Sequence, residues 1–136
     1  MTQRVLIAGD GSFDQSLRAT LEHRRFEVAF EDDLRRVCER LVESDFDLLI
    51  LGSTEVARAV ELLKTIRATP QLRNALVLVT AEWGTGQATL ALANGADAFE
   101  PKPIEAARLV AAVEKLLRPR MVMTARASTA EGEADE

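Results

Sequence analysis

Few side chains in this sequence stand where chemistry is usually done. In chains that alternate strands and helices, reactive groups collect at the carboxyl ends of central strands. Four stretches fall at such places: GDGS (9–12), GST (52–54), TAEWGTG (80–86) and EPKP (100–103). Asp10 supplies a carboxylate there, Ser53, Thr54 and Thr80 supply hydroxyls, and Lys102 supplies a cation. A magnesium site for phosphoryl transfer wants one or two carboxylates beside phosphate and water oxygens. Asp10 follows Gly9, so it has no acidic neighbour in the chain and makes a weak site. Ser53 lacks an evident base, because the single histidine, His23, falls within a helical stretch and reads as a solvated residue. No catalytic group, metal site or cofactor is therefore expected.

The glycines give no firmer signal. GDGSF sits where an anion nest could form at a helix start, but it has neither the G-x-G-x-x-G nor the G-x-x-x-x-G-K-[ST] spacing. Ser12 followed by Gln15 fits a capping box instead. Gly84 and Gly86 make the next loop pliable, and Trp83 within it reads as an exposed contact residue.

The elements that hold these loops follow from apolar periodicity. VLIA (5–8), FEVAF (26–30), LLIL (48–51), ALVLVT (75–80) and a short stretch at Ala98–Phe99 read as strands. Between them, 16–25 carries Leu17 and Leu21 at helical spacing, and 34–44 carries Leu34, Val37, Cys38, Leu41 and Val42 in one stripe. A helix over about 54–69, with Val56, Val60, Leu63 and Ile66, stops at Pro70. GQATLALANGA is the fourth helix, capped by Gly95. The fifth, 104–118, follows Pro103 and aligns Leu109, Val113, Leu116 and Leu117.

Five βα units with continuous apolar strands imply a parallel five-stranded sheet covered by helices on both faces. Right-handed crossovers leave a doubly wound, three-layer sandwich of flavodoxin-like shape. Strands one, three and four are central and the weaker second and fifth lie at the edges, giving the order 2-1-3-4-5. Residues 1–118 form this domain. Residues 119–136 lose the period and end in acids, which reads as a disordered acidic tail.

Composition narrows the partners. The 136 residues fit one domain, and 22 acids against 17 bases give a net charge of -5. That balance argues against a broad nucleic-acid or membrane surface. No apolar run is long enough to insert in a membrane, and nothing near the start resembles a signal peptide, so a cytoplasmic setting is expected. The lone Cys38 falls on an apolar stripe and reads as a packing residue.

The order of these motifs resembles the receiver domain of bacterial two-component response regulators over about residues 3–118. VLIAGD resembles the first strand, with the acidic-pair positions at Gly9 and Asp10. DLLILG resembles the strand that leads to the phosphoacceptor aspartate, whose position falls on Gly52. LVLVTA places Thr80 at the family's hydroxyl position. GADAFEPKP, the most specific stretch, places Phe99 at the aromatic switch position and Lys102 at the lysine. Ile66 and Arg67 resemble the Ile-Arg near the end of the third helix.

The departures carry equal weight. Glycine stands at the acceptor and at one acid of the pair, as in atypical, pseudo-receiver members. The resemblance implies a phosphorylation-independent interaction module in signal transduction, acting on another signalling or regulatory protein. The face of the fourth helix, fifth strand and fifth helix would present Gln87, Glu100, Glu105 and Arg108, with Trp83 at its edge, and could support a homodimer. Lys102 is expected to pair with Asp10, with Thr80 joining. A flavodoxin-like domain that binds a small molecule, nucleotide or anion through the strand-end loops is the alternative.

Overall fold

The computed structural model describes residues 3–9, 15–53, 56–82, 86–102 and 104–129. Among them, strands and helices alternate: β1 (Arg4–Gly9), α1 (Gln15–His23), β2 (Glu27–Glu31), α2 (Val37–Glu43), β3 (Leu48–Ser53), α3 (Val56–Ala68), β4 (Val77–Glu82), α4 (Gln87–Ala93), β5 (Ala98–Lys102) and α5 (Ala106–Thr129). The strands form one sheet in the order β2-β1-β3-β4-β5, with every neighbouring pair parallel. Apolar runs on β1, β3 and β4 dictate this: Val5 to Ala8, Leu48 to Leu51 and Val77 to Val79 are buried whichever face they point to.

Alternation along the strands divides the core in two. Leu6, Ala8, Leu49, Leu51, Val77 and Val79 pack with Val37, Leu63, Ile66 and Ala91 on the side of α2, α3 and α4. Val5, Ile7, Leu48, Ile50 and Leu78 pack with Leu17, Leu21, Leu109 and Val113 on the side of α1 and α5. Cys38 packs half-buried against the first of these clusters, and burial pushes its thiol pKa up, the reverse of a reactive thiolate.

The strand bounds differ from the sequence expectation, β1 and β2 by one residue at each end and the others by more. β3 continues through Gly52 and Ser53, β4 begins at Val77 and runs to Glu82, and β5 extends through Pro101 to Lys102. Backbone pairing to the next strand extends these segments, although their side chains carry no apolar signal. Pro101 is tolerated because β5 is an edge strand. The helix expected over 34–44 opens as a 3₁₀ turn at Leu34–Arg36, where Asp33 Oδ1 accepts the Arg35 N–H at 3.0 Å. Val42 leaves the expected stripe and is 50% exposed, since one side of a short helix cannot bury both Leu41 and its neighbour.

α5 also departs from expectation. It starts at Ala106, with the Glu105 carbonyl accepting the Leu109 N–H at 2.9 Å, and continues past Arg118 to Thr129. Met, Ala and Arg in this stretch are good helix formers and outweigh Pro119. The helix thus extends beyond the boundary drawn at 118. Residues 130–136 of the expected tail lie outside the described residues.

Two helices end in the same motif with different residues. After α4, Ala96 N–H reaches the Ala91 carbonyl at 3.1 Å and Gly95 N–H reaches Leu92 at 3.2 Å, with Gly95 at φ +113°, the cap expected there. After α1, Phe26 N–H reaches Leu21 at 3.1 Å and Arg25 N–H reaches Glu22 at 3.0 Å. There an arginine holds the left-handed position, at φ 74°.

Candidate functional site

The carboxyl end of the sheet brings three of the sequence-predicted site residues, Gly9, Gly52 and Thr80, into one row. Gly9 of β1 is in register with Gly52 of β3, Gly52 with Thr80 of β4, and Thr80 with Glu100 of β5. Residues paired across parallel strands point to the same face, here the face of Ile7, Ile50 and Leu78, covered by α1 and α5. Half of this row has no side chain. A Cβ built on Gly9 would collide with the carbonyl oxygen of Gly52 and lie 3.2 Å from its carbonyl carbon. The backbone of one glycine thus fills the space a side chain on the other would need.

Thr80 is fully buried, and its hydroxyl has no hydrogen-bond partner among the described residues. A buried hydroxyl in that state costs about 1–3 kcal/mol. Phe99, in register with Val79, packs half-buried against the core on the α4 side. Lys102 is half-buried at the last position of β5. The pairing of Lys102 with Asp10 lies outside the described residues, as do the Ser12 cap, Thr54 and Trp83. Among the described residues, no group of three or more His, Cys, Asp or Glu could hold a metal ion. His23 is exposed at the end of α1.

The residues assigned to the interaction surface divide. Glu105 and Arg108 are exposed. Gln87 turns inward: it sits one turn before the buried Ala91 on the same helical side, and its Oε1 is buried without a partner among the described residues. Glu100 is also engaged. Its Oε1 accepts from Arg108 Nε at 3.2 Å and from a terminal guanidinium nitrogen at 3.0 Å, leaving the Glu100 side chain 17% exposed. This pair ties β5 to α5 and leaves the outer side of Arg108 in solvent. α4 adds two large exposed side chains, Leu90 and Leu92.

Sequence reading missed Glu31, a carboxylate buried at the end of β2 in register with Ala8. It is fully committed: Oε1 accepts from Arg40 at 3.1 Å and Oε2 from the Asp33 N–H at 3.0 Å. Arg40 also donates to the Phe30 carbonyl at 3.1 Å. So satisfied a carboxylate braces β2 against α2 rather than serving as a base. Its only sequence signal is its place directly after an alternating strand. Among the described residues, no helix is long and apolar enough to cross a membrane.

No protein-family model and no curated protein matches the chain. Solved structures do. The chemotaxis response regulator CheY4 of Vibrio cholerae is similar at 22% identity and a TM-score of 0.75, over 86% of this chain and 100% of that chain. The signal receiver domain of a putative Luxo repressor protein from Vibrio parahaemolyticus is similar at 20% identity and a TM-score of 0.78, over 98% and 100%. HP1043, an orphan response regulator of H. pylori, is similar at 22% identity and a TM-score of 0.73, over 85% and 97%. The likeness at these identities is one of fold: a five-stranded parallel receiver-type sandwich.

Proposed function

We propose that the chain is a phosphorylation-independent interaction module of bacterial signal transduction, a pseudo-receiver with no reaction of its own. The observation that carries this reading is the Gly9–Gly52 pair at the carboxyl ends of β1 and β3. Phosphoryl transfer to a receiver-type site needs a carboxylate nucleophile and acids that hold magnesium. Glycine offers neither, and the backbone around Gly9 leaves no room for a side chain. Without a ligand that binds one state better than another, nothing drives the Thr80–Phe99 pair between conformations. The domain works as a fixed surface.

Its partner is another signalling or regulatory protein in the cytoplasm. The face of α4, β5 and α5 suits that role, with exposed Leu90, Leu92, Glu105 and Arg108. Arginine is enriched at interface hot spots, and the Arg108 side chain is 65% exposed. The test is direct: incubation with acetyl phosphate and magnesium, followed by intact-mass measurement. No phosphoryl adduct is expected, and an adduct on any residue would overturn the reading. Capture of a response-pathway partner by the wild-type chain, lost on Leu92→Glu and Arg108→Ala, would define the face.

A further inference from the structure

An open sheet has two edges, here β2 and β5 among the described residues. An edge strand shows N–H and C=O groups that a strand of another chain can take up. β5 carries Pro101 and Lys102, residue types that discourage such pairing. β2 carries neither. It reads EVAFE, and with Phe26 before it sets Phe26, Val28 and Phe30 against the core on the side of α1 and α5. A short apolar alternation without proline is the kind of segment that adds strands readily.

Register shows which groups β2 turns outward. Glu27 N–H donates to the Gln3 carbonyl at 2.9 Å, and β1 and β2 pair in parallel from Arg4 with Glu27 to Ala8 with Glu31. Backbone groups alternate sides along a strand, so Glu27, Ala29 and Glu31 face β1 while Val28 and Phe30 face away. Phe30 is covered nonetheless. Its carbonyl accepts from Arg40 Nη1 of α2 at 3.1 Å, and the Arg18 guanidinium of α1 lies 4.7 Å from the centroid of its ring. Two arginines from helices on opposite faces of the sheet thus meet at one edge residue. Glu31 fixes Arg40 there: its Oε1 accepts from the same nitrogen at 3.1 Å, and its Oε2 accepts the Asp33 N–H at 3.0 Å. The Glu31 side chain is only 7% exposed. A buried ion pair is no better a brace than apolar packing of similar volume, so this one calls for a further role.

We propose that Arg40 closes the β2 edge against strand addition by a second copy of this chain, and that Glu31 is the residue that positions it. Two β2 strands meeting antiparallel about a twofold axis at Ala29 would join Val28 of each copy to Phe30 of the other. Half of those bonds end on a Phe30 carbonyl, where Arg40 already lies. The approach would also bring the two Arg40 guanidinium groups together, like charge against like. The edge stays single while that acceptor is held. This role is independent of whether the glycine row takes phosphate.

Sedimentation velocity of the full chain across the micromolar range tests it. Arg40→Ala is the wrong probe, because it strands a buried carboxylate and destabilises the domain for that reason alone. Glu31→Gln with Arg40→Met removes both charges and keeps much of the side-chain volume. Glu31→Leu with Arg40→Leu opens the same carbonyl by an apolar route. Each pair should tighten self-association about tenfold or more, with an unchanged far-UV circular dichroism spectrum. Adding Val28→Pro, which deletes an outward N–H and spares the β1 ladder, should return both to the wild-type state. In the wild-type background Val28→Pro should leave association unchanged. Pairs no more associated than wild type, association indifferent to Val28→Pro, or a wild-type assembly that Val28→Pro abolishes would each overturn the proposal. So would loss of the fold in both pairs, which would leave Arg40 and Glu31 a bracing role alone.

Discussion

The two ends of the sheet are built on opposite plans. At the amino end, polar side chains tie strands and helices together. Asp47, just before β3, donates its N–H to the Arg4 carbonyl at 2.8 Å and accepts the Arg4 N–H on its carboxylate at 2.8 Å. Asp97, just before β5, does the same for Val77, again at 2.8 Å for both bonds. Arg67 completes the bracing from the end of α3. It donates to the carbonyls of Gly95, Arg73 and Ala75 and to the Asp97 carboxylate. Gly95 has no Cβ to strike Arg67, whose Cγ would lie 2.9 Å from one. At the carboxyl end the described row is two glycines, an unpartnered hydroxyl and a glutamate turned toward α5. In an active α/β site the carboxyl end concentrates polar function. Here, among the described residues, the polar ties of β1, β3, β4 and β5 to one another gather at the opposite end, where they hold the fold.

Four substitutions probe that contrast. Arg67→Ala strands several carbonyls and should cost about 3 kcal/mol in urea denaturation; a loss under 1 kcal/mol would mean the amino end is not braced this way. Gly9→Ala should cost about 1–3 kcal/mol, because the strand ends must part to admit the methyl group. A neutral result would show that the carboxyl end is roomier than its backbone implies. Thr80→Val removes a hydroxyl with no described partner and should raise stability by about 1 kcal/mol. Destabilisation instead would reveal a partner for Thr80, and with it a functioning polar site. Arg25→Gly relieves the left-handed backbone and should add about 1 kcal/mol; no gain would mean the exposed arginine compensates through contacts of its own.

Most of the fold is legible in the sequence because the central strands are apolar on both faces. Val5–Ala8, Leu48–Leu51 and Val77–Val79 have no other stable place than the middle of a covered sheet. Gly95 announces its cap by residue type, whereas Arg25, in the same motif, does not. Strand ends are poorly legible, since Gly52, Ser53, Ala81, Glu82, Pro101 and Lys102 are paired by their neighbours rather than by their own side chains. The register of Gly9, Gly52 and Thr80 could be anticipated from motif spacing. The inward turn of Gln87 and the engagement of Glu100 by Arg108 could not, because both depend on how α4 and α5 rotate about their axes.

The Gly52 carbonyl against Gly9 also bears on how the protein could change over time. An aspartate introduced at position 52 would gain no acidic companion at position 9 until the neighbouring backbone moved, and one introduced at 9 would first collide with it. Recovering a metal-binding pocket from this backbone is therefore not a single-step path. An acid at position 9 would carry the strain of the new residue without the activity that could select for it.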